Sequence, residues 1–260
     1  ALGILVYFLF EKILRKKIII RTGGDFLWEQ YIARTNDLVL LRDFYQTSQK
    51  KWSLKEKIIF KLTRWTLNNS NALVFSTEWQ RDIWLAPYQL DLGRCHLIEN
   101  FYGEKLPSIP AVKKNFIASV RPLKWKNLDL LKQVFGELVA QGHDLALDMN
   151  NLPYKEFLEK IKHSYAVILV SLGDISPNFV LDTLRFNKPV ILTQETGFCQ
   201  KLKDVVIWVD PRDLEDIKQK VLWLSDKDNY RLACQKVANF KFIHSWREIV
   251  DEFLNIYKNL

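Results

Sequence analysis

Short runs of β-branched and aromatic residues alternate along this chain with longer stretches whose apolar positions recur at helical spacing. That is the rhythm of βα units and parallel sheets. The first run, residues 17–22, ends in Gly23-Gly24-Asp25. A helical stretch over about 53–68 carries Ile58, Ile59, Leu62 and Trp65 on one side. Residues 72–77 form a strand, and Thr77 is a plausible N-cap for the helix that begins at Glu78. Residues 95–100 make another short strand. Beyond residue 114 the rhythm restarts, with strands at 115–120, 145–149, 165–171, 189–193 and 205–209. Helices are predicted near 128–140, 154–162 and 179–186, and from Pro211 to about 224. The run at 165–171 is apolar almost throughout, as a strand covered on both faces of a parallel sheet must be. The tail, 245–260, places Trp246, Ile249, Val250, Phe253, Leu254 and Tyr257 on one side of a helix.

Residues 103–114, with a glycine, prolines and lysines and no periodicity, read as a linker between two α/β domains. The expected division is a partial N-terminal Rossmann-like domain over 1–107, a second over 108–244, and a terminal helix at 245–260. That helix is expected to return to the first domain. A chain of 260 residues accommodates two domains. The apolar opening is ten residues long and is followed by Glu11, Lys12, Arg15, Lys16 and Lys17. That is short of a membrane span, and a signal peptide carries its charges before the apolar run. Residues 1–16 therefore read as a core helix entered partway through a larger protein, a membrane-lying helix being the alternative.

Cys95, Cys199 and Cys234 lie far apart, which argues against a disulfide framework and points to a reducing cytoplasm. The net charge of +8 suits phosphate-bearing ligands, an anionic membrane face or nucleic acid. It does not choose among them, but the basic residues are dispersed, which disfavours nucleic acid. Asp226-Lys227-Asp228 has the look of a metal motif, yet it follows one predicted helix and precedes another. His143, His163 and His244 lack acidic neighbours at ligand spacing. No metal is expected.

Ligands of doubly wound sheets bind at the carboxyl ends of the strands, and anions favour helix N-termini. That rule selects the loop after the strand at 115–120, where Arg121 and Lys126 can reach one diphosphate. It also selects the segment after the central strand, with Asp174 in the loop and Asp182 about one turn into the next helix. Taken singly each signal is weak, because a loop Asp commonly caps a helix and a basic loop is commonly just solvated.

The order of elements resembles glycosyltransferase family four, retaining enzymes of the GT-B fold. These have two Rossmann-like doubly wound parallel-sheet domains facing a cleft. Arg121 and Lys126 have the spacing of that family's diphosphate-contacting pair. Asp174 and Asp182, with seven residues between them, occupy the frame of its two signature acids. The resemblance implies that Asp174 faces the transferred sugar and Asp182 the nucleotide ribose. It implies that the backbone amides of Asn178, Phe179 and Val180 approach the donor, with the loop Glu195-Thr196-Gly197-Phe198 beside them. Residues 21–30 resemble a segment found in some bacterial members, and Gly24-Asp25 occupies the donor-side loop where a histidine often stands. Residues 72–84 with 98–101, and the helix from Ser245, match further runs of the family.

Three departures stand out. Both signature acids are Asp instead of Glu. Asn150-Asn151-Leu152-Pro153 replaces a glycine-rich loop. A complete protein of this fold needs on the order of 350 residues, so the N-terminal domain reads as incomplete. The resemblance implies a glycosyltransferase that moves a sugar from a nucleotide-sugar donor to a glycan or lipid-linked acceptor without a metal. It would work in the cytoplasm, with peripheral contact to an anionic inner membrane face as an option. A non-catalytic sugar-nucleotide-binding remnant or partner subunit is the alternative.

Overall fold

The computed structural model describes residues 14, 16–118, 123–150 and 152–260. The segment read as an opening helix therefore lies almost wholly outside the described residues. The chain divides into two units, one of residues 1–101 with 244–260 and the other of 102–243.

In the first unit β1 (Ile19–Arg21), β2 (Ala72–Phe75) and β3 (Cys95–Leu97) form a parallel sheet in that order. Ile19 is in register with Ala72, and Leu73 with Cys95. Every residue of β2 is fully buried, as expected of the middle strand. Among the described residues, four α-helices precede β3. Of these, α1 (Phe26–Thr35) and α2 (Leu41–Thr47) have weak sequence signals. Asn36 in the left-handed conformation (φ 58°) ends α1. The next, α3 (Leu54–Asn69), opens with a reciprocal cap in which Ser53 and Glu56 bond each other's backbone N–H. Thr77 accepts from the N–H of Gln80 and starts α4 (Glu78–Tyr88), as its sequence position predicts.

The C-terminal helix, Trp246–Lys258, belongs to this unit and buries Ile249 and Ile256 against Ala72, Val74 and Ile98. Its predicted apolar face is wider than the face it buries. Val250, Leu254 and Tyr257 are exposed, while Trp246 stacks on Phe101 with ring centroids 5.0 Å apart.

The second unit holds a five-stranded parallel sheet. Its strands are β4 (Asn115–Ala118), β5 (Ala146–Asp148), β6 (Ala166–Leu169), β7 (Val190–Thr193) and β8 (Ile207–Val209), in the order β5-β4-β6-β7-β8. The helices are α5 (Leu128–Ala140), α6 (Tyr154–His163), α7 (Asn178–Arg185), α8 (Leu214–Ser225) and α9 (Lys227–Asn239). Alternate strand residues face opposite sides. Phe116, Ala118, Ile168 and Ile191 pack with Leu131, Val134 and Leu138 of α5 and Val221 of α8. Ile117, Val167, Leu169, Val190 and Leu192 pack with Ile161 of α6 and Val180 and Leu184 of α7. Both faces are covered, which is why these strands read as unbroken apolar runs.

Two local expectations need correction. Pro211 does not open α8: Asp213 caps it, accepting from the N–H groups of Glu215 and Asp216, so the helix starts three residues later. The segment over 103–114 forms no regular element, but it is not a free tether. Tyr102 is buried in the second unit, the Lys105 ammonium donates to the carbonyls of Leu184 and Val237, and Leu106 N–H donates to Arg185 O. Among the described residues, no helix is long and apolar enough to cross a membrane.

Candidate functional site

The sheet of the second unit reverses its winding between β4 and β6. The chain leaves β4 toward β5 on one side and returns to build β6, β7 and β8 on the other. At such a switch point the loops after the two flanking strands part and leave room for a ligand at the carboxyl edge. The loop after β6 begins at Val170, and the described part of the loop after β4 begins at Leu123.

Those loops are tied together. Leu172 N–H donates to Trp125 O at 2.9 Å, and the Lys126 ammonium donates to Asp174 Oδ2 at 2.5 Å. Ser171 Oγ donates to the same oxygen at 2.9 Å. The Lys126 and Asp174 side chains are 13% and 16% exposed, so the pair is largely withdrawn from water while keeping an open side. The backbone of Asp174 is fixed too: its N–H donates to Glu195 O, it pairs with Thr196 in a single parallel bridge, and Gly197 N–H donates to Ile175 O. The segment Glu195–Phe198 therefore braces the loop that carries Asp174. On the far side, Asn127 donates to Pro211 O, joining the β4 loop to the one after β8.

The capping role open to Asp174 from its sequence position is not realised. The N-cap of α7 is Pro177, with no side-chain cap, and the Asp174 carboxylate faces Lys126 and Ser171 instead. Lys126, for its part, is no freely solvated loop lysine. Arg121 lies outside the described residues.

Asp182 sits apart from this pair. It is in the middle of α7, buried, and accepts from Tyr154 Oη at 3.0 Å and Arg185 Nη1 at 3.5 Å. Burial pushes the Asp182 carboxyl above the usual carboxylate range, opposed by Tyr154 and Arg185. Burial and the same carboxylate push the Tyr154 hydroxyl up to about 12. Among the described residues Asp174 and Asp182 thus share no partner, and each pairs with a different cation: Lys126 for the first, Arg185 for the second. Asn178, Phe179 and Val180 form the first turn of α7, where N–H groups have no carbonyl one helical turn back. Val180 N–H donates to Pro177 O at 3.0 Å.

In the first unit the structure changes the reading of Gly24-Asp25. Asp25 is only 2% exposed and acts as the N-cap of α1, accepting from Trp28 N–H at 3.0 Å. Its other oxygen accepts from Tyr45 Oη at 2.7 Å and Trp84 Nε1 at 2.8 Å. Burial raises the Asp25 carboxyl and lifts the hydroxyls of Tyr45 and Tyr88 well above their ordinary value. The carboxylate is an internal fastening, surrounded by its own unit. Gly24 is exposed, and a Cβ there would come within 2.7 Å of Glu29 Oε1, the movable end of a side chain.

Asp226 caps α9 through Asp228 N–H and Asn229 N–H, so the acidic pair that resembled a metal motif has a helix-starting job. His244 does meet an acid, unlike the expectation from its neighbours in sequence: Nε2 lies 3.3 Å from Glu252 Oε1. Among the described residues, no group of three or more His, Cys, Asp or Glu side chains is placed to hold a metal ion. Ser171, Tyr154 and Arg185 are site partners that the sequence reading missed. Arg185 stands three residues after Asp182 on one helix face, a spacing that signals a pair. Nothing in the sequence near Tyr154 signals its contact.

No known family model matches the chain, and no curated protein matches it. Solved structures do. TarM of S. aureus, in complex with Fondaparinux, alpha-GlcNAc-glycerol and UDP, aligns with a TM-score of 0.64 at 16% identity, over 82% of this chain and 48% of its own. This chain therefore spans about half the length of TarM. HepE of Anabaena in complex with UDP-glucose gives a TM-score of 0.67 at 10% identity, over 96% of this chain and 74% of its own. A glycosyltransferase from Rickettsia africae ESF-5 gives 0.54 at 15% identity, over 99% and 93%. At these identities the likeness is one of fold, and that fold is GT-B: mixed α/β, with two parallel, Rossmann-like sheets.

Proposed function

We propose that this chain is a glycosyltransferase that takes a sugar from a nucleotide-diphosphate donor and passes it to a glycan or lipid-linked acceptor. The carrying observation is the Lys126–Asp174 pair at the switch point of the second sheet, beside the first turn of α7. Binding of UDP by TarM and of UDP-glucose by HepE supports a nucleotide-sugar donor of that kind.

In this reading Lys126 and Arg121 hold the donor diphosphate, and the α7 amides of Asn178 and Phe179 add their partial positive charge. Negative charge grows on the diphosphate as the bond to the sugar carbon breaks. Cations already in place stabilise that charge without reorganising, and they do so without a divalent ion. Asp174 contacts the sugar and orients the carbon under attack. Asp182, held by Tyr154 and Arg185, faces the ribose. Retention of anomeric configuration and membership of family four follow the resemblance in these positions. The dispersed net charge of +8 leaves room for peripheral contact with an anionic membrane face.

The test is a screen of nucleotide sugars on the protein in its natural full length, with binding and turnover read separately. Binding followed by release of nucleoside diphosphate supports the transferase. Binding without turnover supports the non-catalytic binder, and the shorter Asp side chains at both signature positions give that second reading its basis. No binding of any nucleotide sugar overturns both.

A further inference from the structure

Lys126 offers one ammonium to this site, and in the free protein Asp174 already holds it. The contact is 2.5 Å long, largely withdrawn from water, and reinforced by Ser171 on the same carboxylate oxygen. A partly buried ion pair that loses one member leaves the other uncompensated, which costs more than an exposed pair would. A diphosphate arriving at Lys126 therefore does not fill an open cation site. It has to take the cation away from a carboxylate that the backbone holds in place through Glu195 and Thr196.

We propose that Asp174 is a specificity-determining residue that exchanges partners: the donor diphosphate takes Lys126, and the released carboxylate takes hydroxyl groups of the donor sugar. This rests on the donor-site reading above and deepens it. A donor carrying its sugar supplies both halves of the exchange, an anion for Lys126 and hydroxyl donors for Asp174. A bare nucleoside diphosphate supplies only the first and leaves Asp174 facing a phosphate, with Ser171 as its side-chain donor among the described residues. The site consequently prefers donor over product diphosphate, and loss of the sugar favours return of Asp174 to Lys126 and departure of the product. Asp182 cannot do the same. Its ion pair is with Arg185 in its own helix, so a ligand at Lys126 leaves it unchanged.

Inorganic pyrophosphate is the probe that carries neither base nor sugar, and the experiment is a double-mutant cycle on the full chain read by calorimetry. Asp174→Asn is expected to bind pyrophosphate about tenfold tighter than the unaltered protein, a change of about 1.4 kcal/mol. Lys126→Ala is expected to bind it more weakly. In the Lys126→Ala background, Asp174→Asn is expected to change affinity by less than about twofold, since no cation remains to be freed. A merely structural role for the pair would lower the melting temperature without tightening anion binding. Tightening of equal size in both backgrounds would mean simple removal of a repulsive charge and would overturn the exchange. So would unchanged or weaker binding by Asp174→Asn. If Lys126→Ala leaves pyrophosphate binding unaltered, the donor-site reading itself fails. For a nucleotide sugar found in the donor screen, the preference over its nucleoside diphosphate is expected to shrink in Asp174→Asn.

Discussion

Replacing Asp25 by Ala distinguishes a fastening from a ligand contact. The side chain receives three donors: Trp28 N–H at 3.0 Å, Tyr45 Oη at 2.7 Å and Trp84 Nε1 at 2.8 Å. Tyr45 has one proton and gives it to Asp25, so in the 2.8 Å contact between Tyr45 and Tyr88 the donor is Tyr88. The carboxylate thus anchors a chain of buried hydroxyls as well as a helix start. Loss of the cap costs about 1 kcal/mol, and each buried donor left unpaired costs about 1–3 kcal/mol. The three contacts share one group and do not add fully. Asp25→Ala should therefore destabilise the first unit by about 3–5 kcal/mol, a large fraction of the stability of an ordinary domain. Asp25→Asn keeps the cap oxygen, and Tyr45 can turn its proton away from the new amide, whereas Trp84 cannot. A loss of about 1–2 kcal/mol follows. Hydrogen exchange at the amides of Leu73 and Val74 in β2 reports this unit by itself. A loss of less than about 1 kcal/mol in Asp25→Ala would refute the fastening role. It is also refuted if the folded variant loses nucleotide affinity while β2 protection is unchanged, since that would restore Asp25 as a ligand contact.

Lys126→Ala should weaken nucleoside-diphosphate binding by about 1–3 kcal/mol. It should also lower the melting temperature, because Asp174 is left without its cation in a pair largely withdrawn from water; calorimetry on the folded variant and a thermal melt check the two halves. Ser53→Ala should remove about 1 kcal/mol from the first unit, because it breaks the reciprocal cap of α3, and urea titration measures that loss. Lys105 is expected to make stability depend on pH. Burial lowers it from 10.5 to about 8, so between those values the unfolded chain keeps a proton that the folded chain has released. Stability should consequently rise with pH from about 8, and Lys105→Met should flatten that slope. Denaturant midpoints between pH 7 and 9.5, compared between the unaltered protein and Lys105→Met, isolate this contribution from those of Cys95, Cys234 and Lys188, which burial also shifts. An identical pH slope in the two proteins would contradict it.

Much of the second unit was legible because its chemistry is local and periodic. The helix at Leu128–Ala140 and the strands around Ile117, Ile168 and Ile191 follow from apolar period alone, and in the first unit Thr77 marks a helix start by position. The misplaced start of α8 came from reading Pro211 as its first residue, when Asp213 had the better capping side chain. The α1 and α2 helices were hidden because they are short, and the first is entered from a Gly-Gly turn. At the site, the carboxyl edge of the sheet pointed to Lys126 and Asp174. Their direct pairing spans 48 positions and has no sequence signature. The same holds for the three donors that converge on Asp25 from Trp28, Tyr45 and Trp84. The loop after β6 was visible in sequence, but its bracing by Glu195–Phe198 depends on β7 lying next to β6 in the sheet.

The central claim is that a nucleotide diphosphate binds at the carboxyl edge of the second sheet, at its switch point. The most direct measurement is a titration of the isotope-labelled protein with a nucleoside diphosphate, read amide by amide in nitrogen–proton spectra. The largest shifts are expected within residues 123–128, 171–181 and 194–197. Shifts gathered instead around the cavity of about 420 Å³ lined by Asn187, Lys188, Tyr230 and Cys234, beside the start of β7, would contradict it.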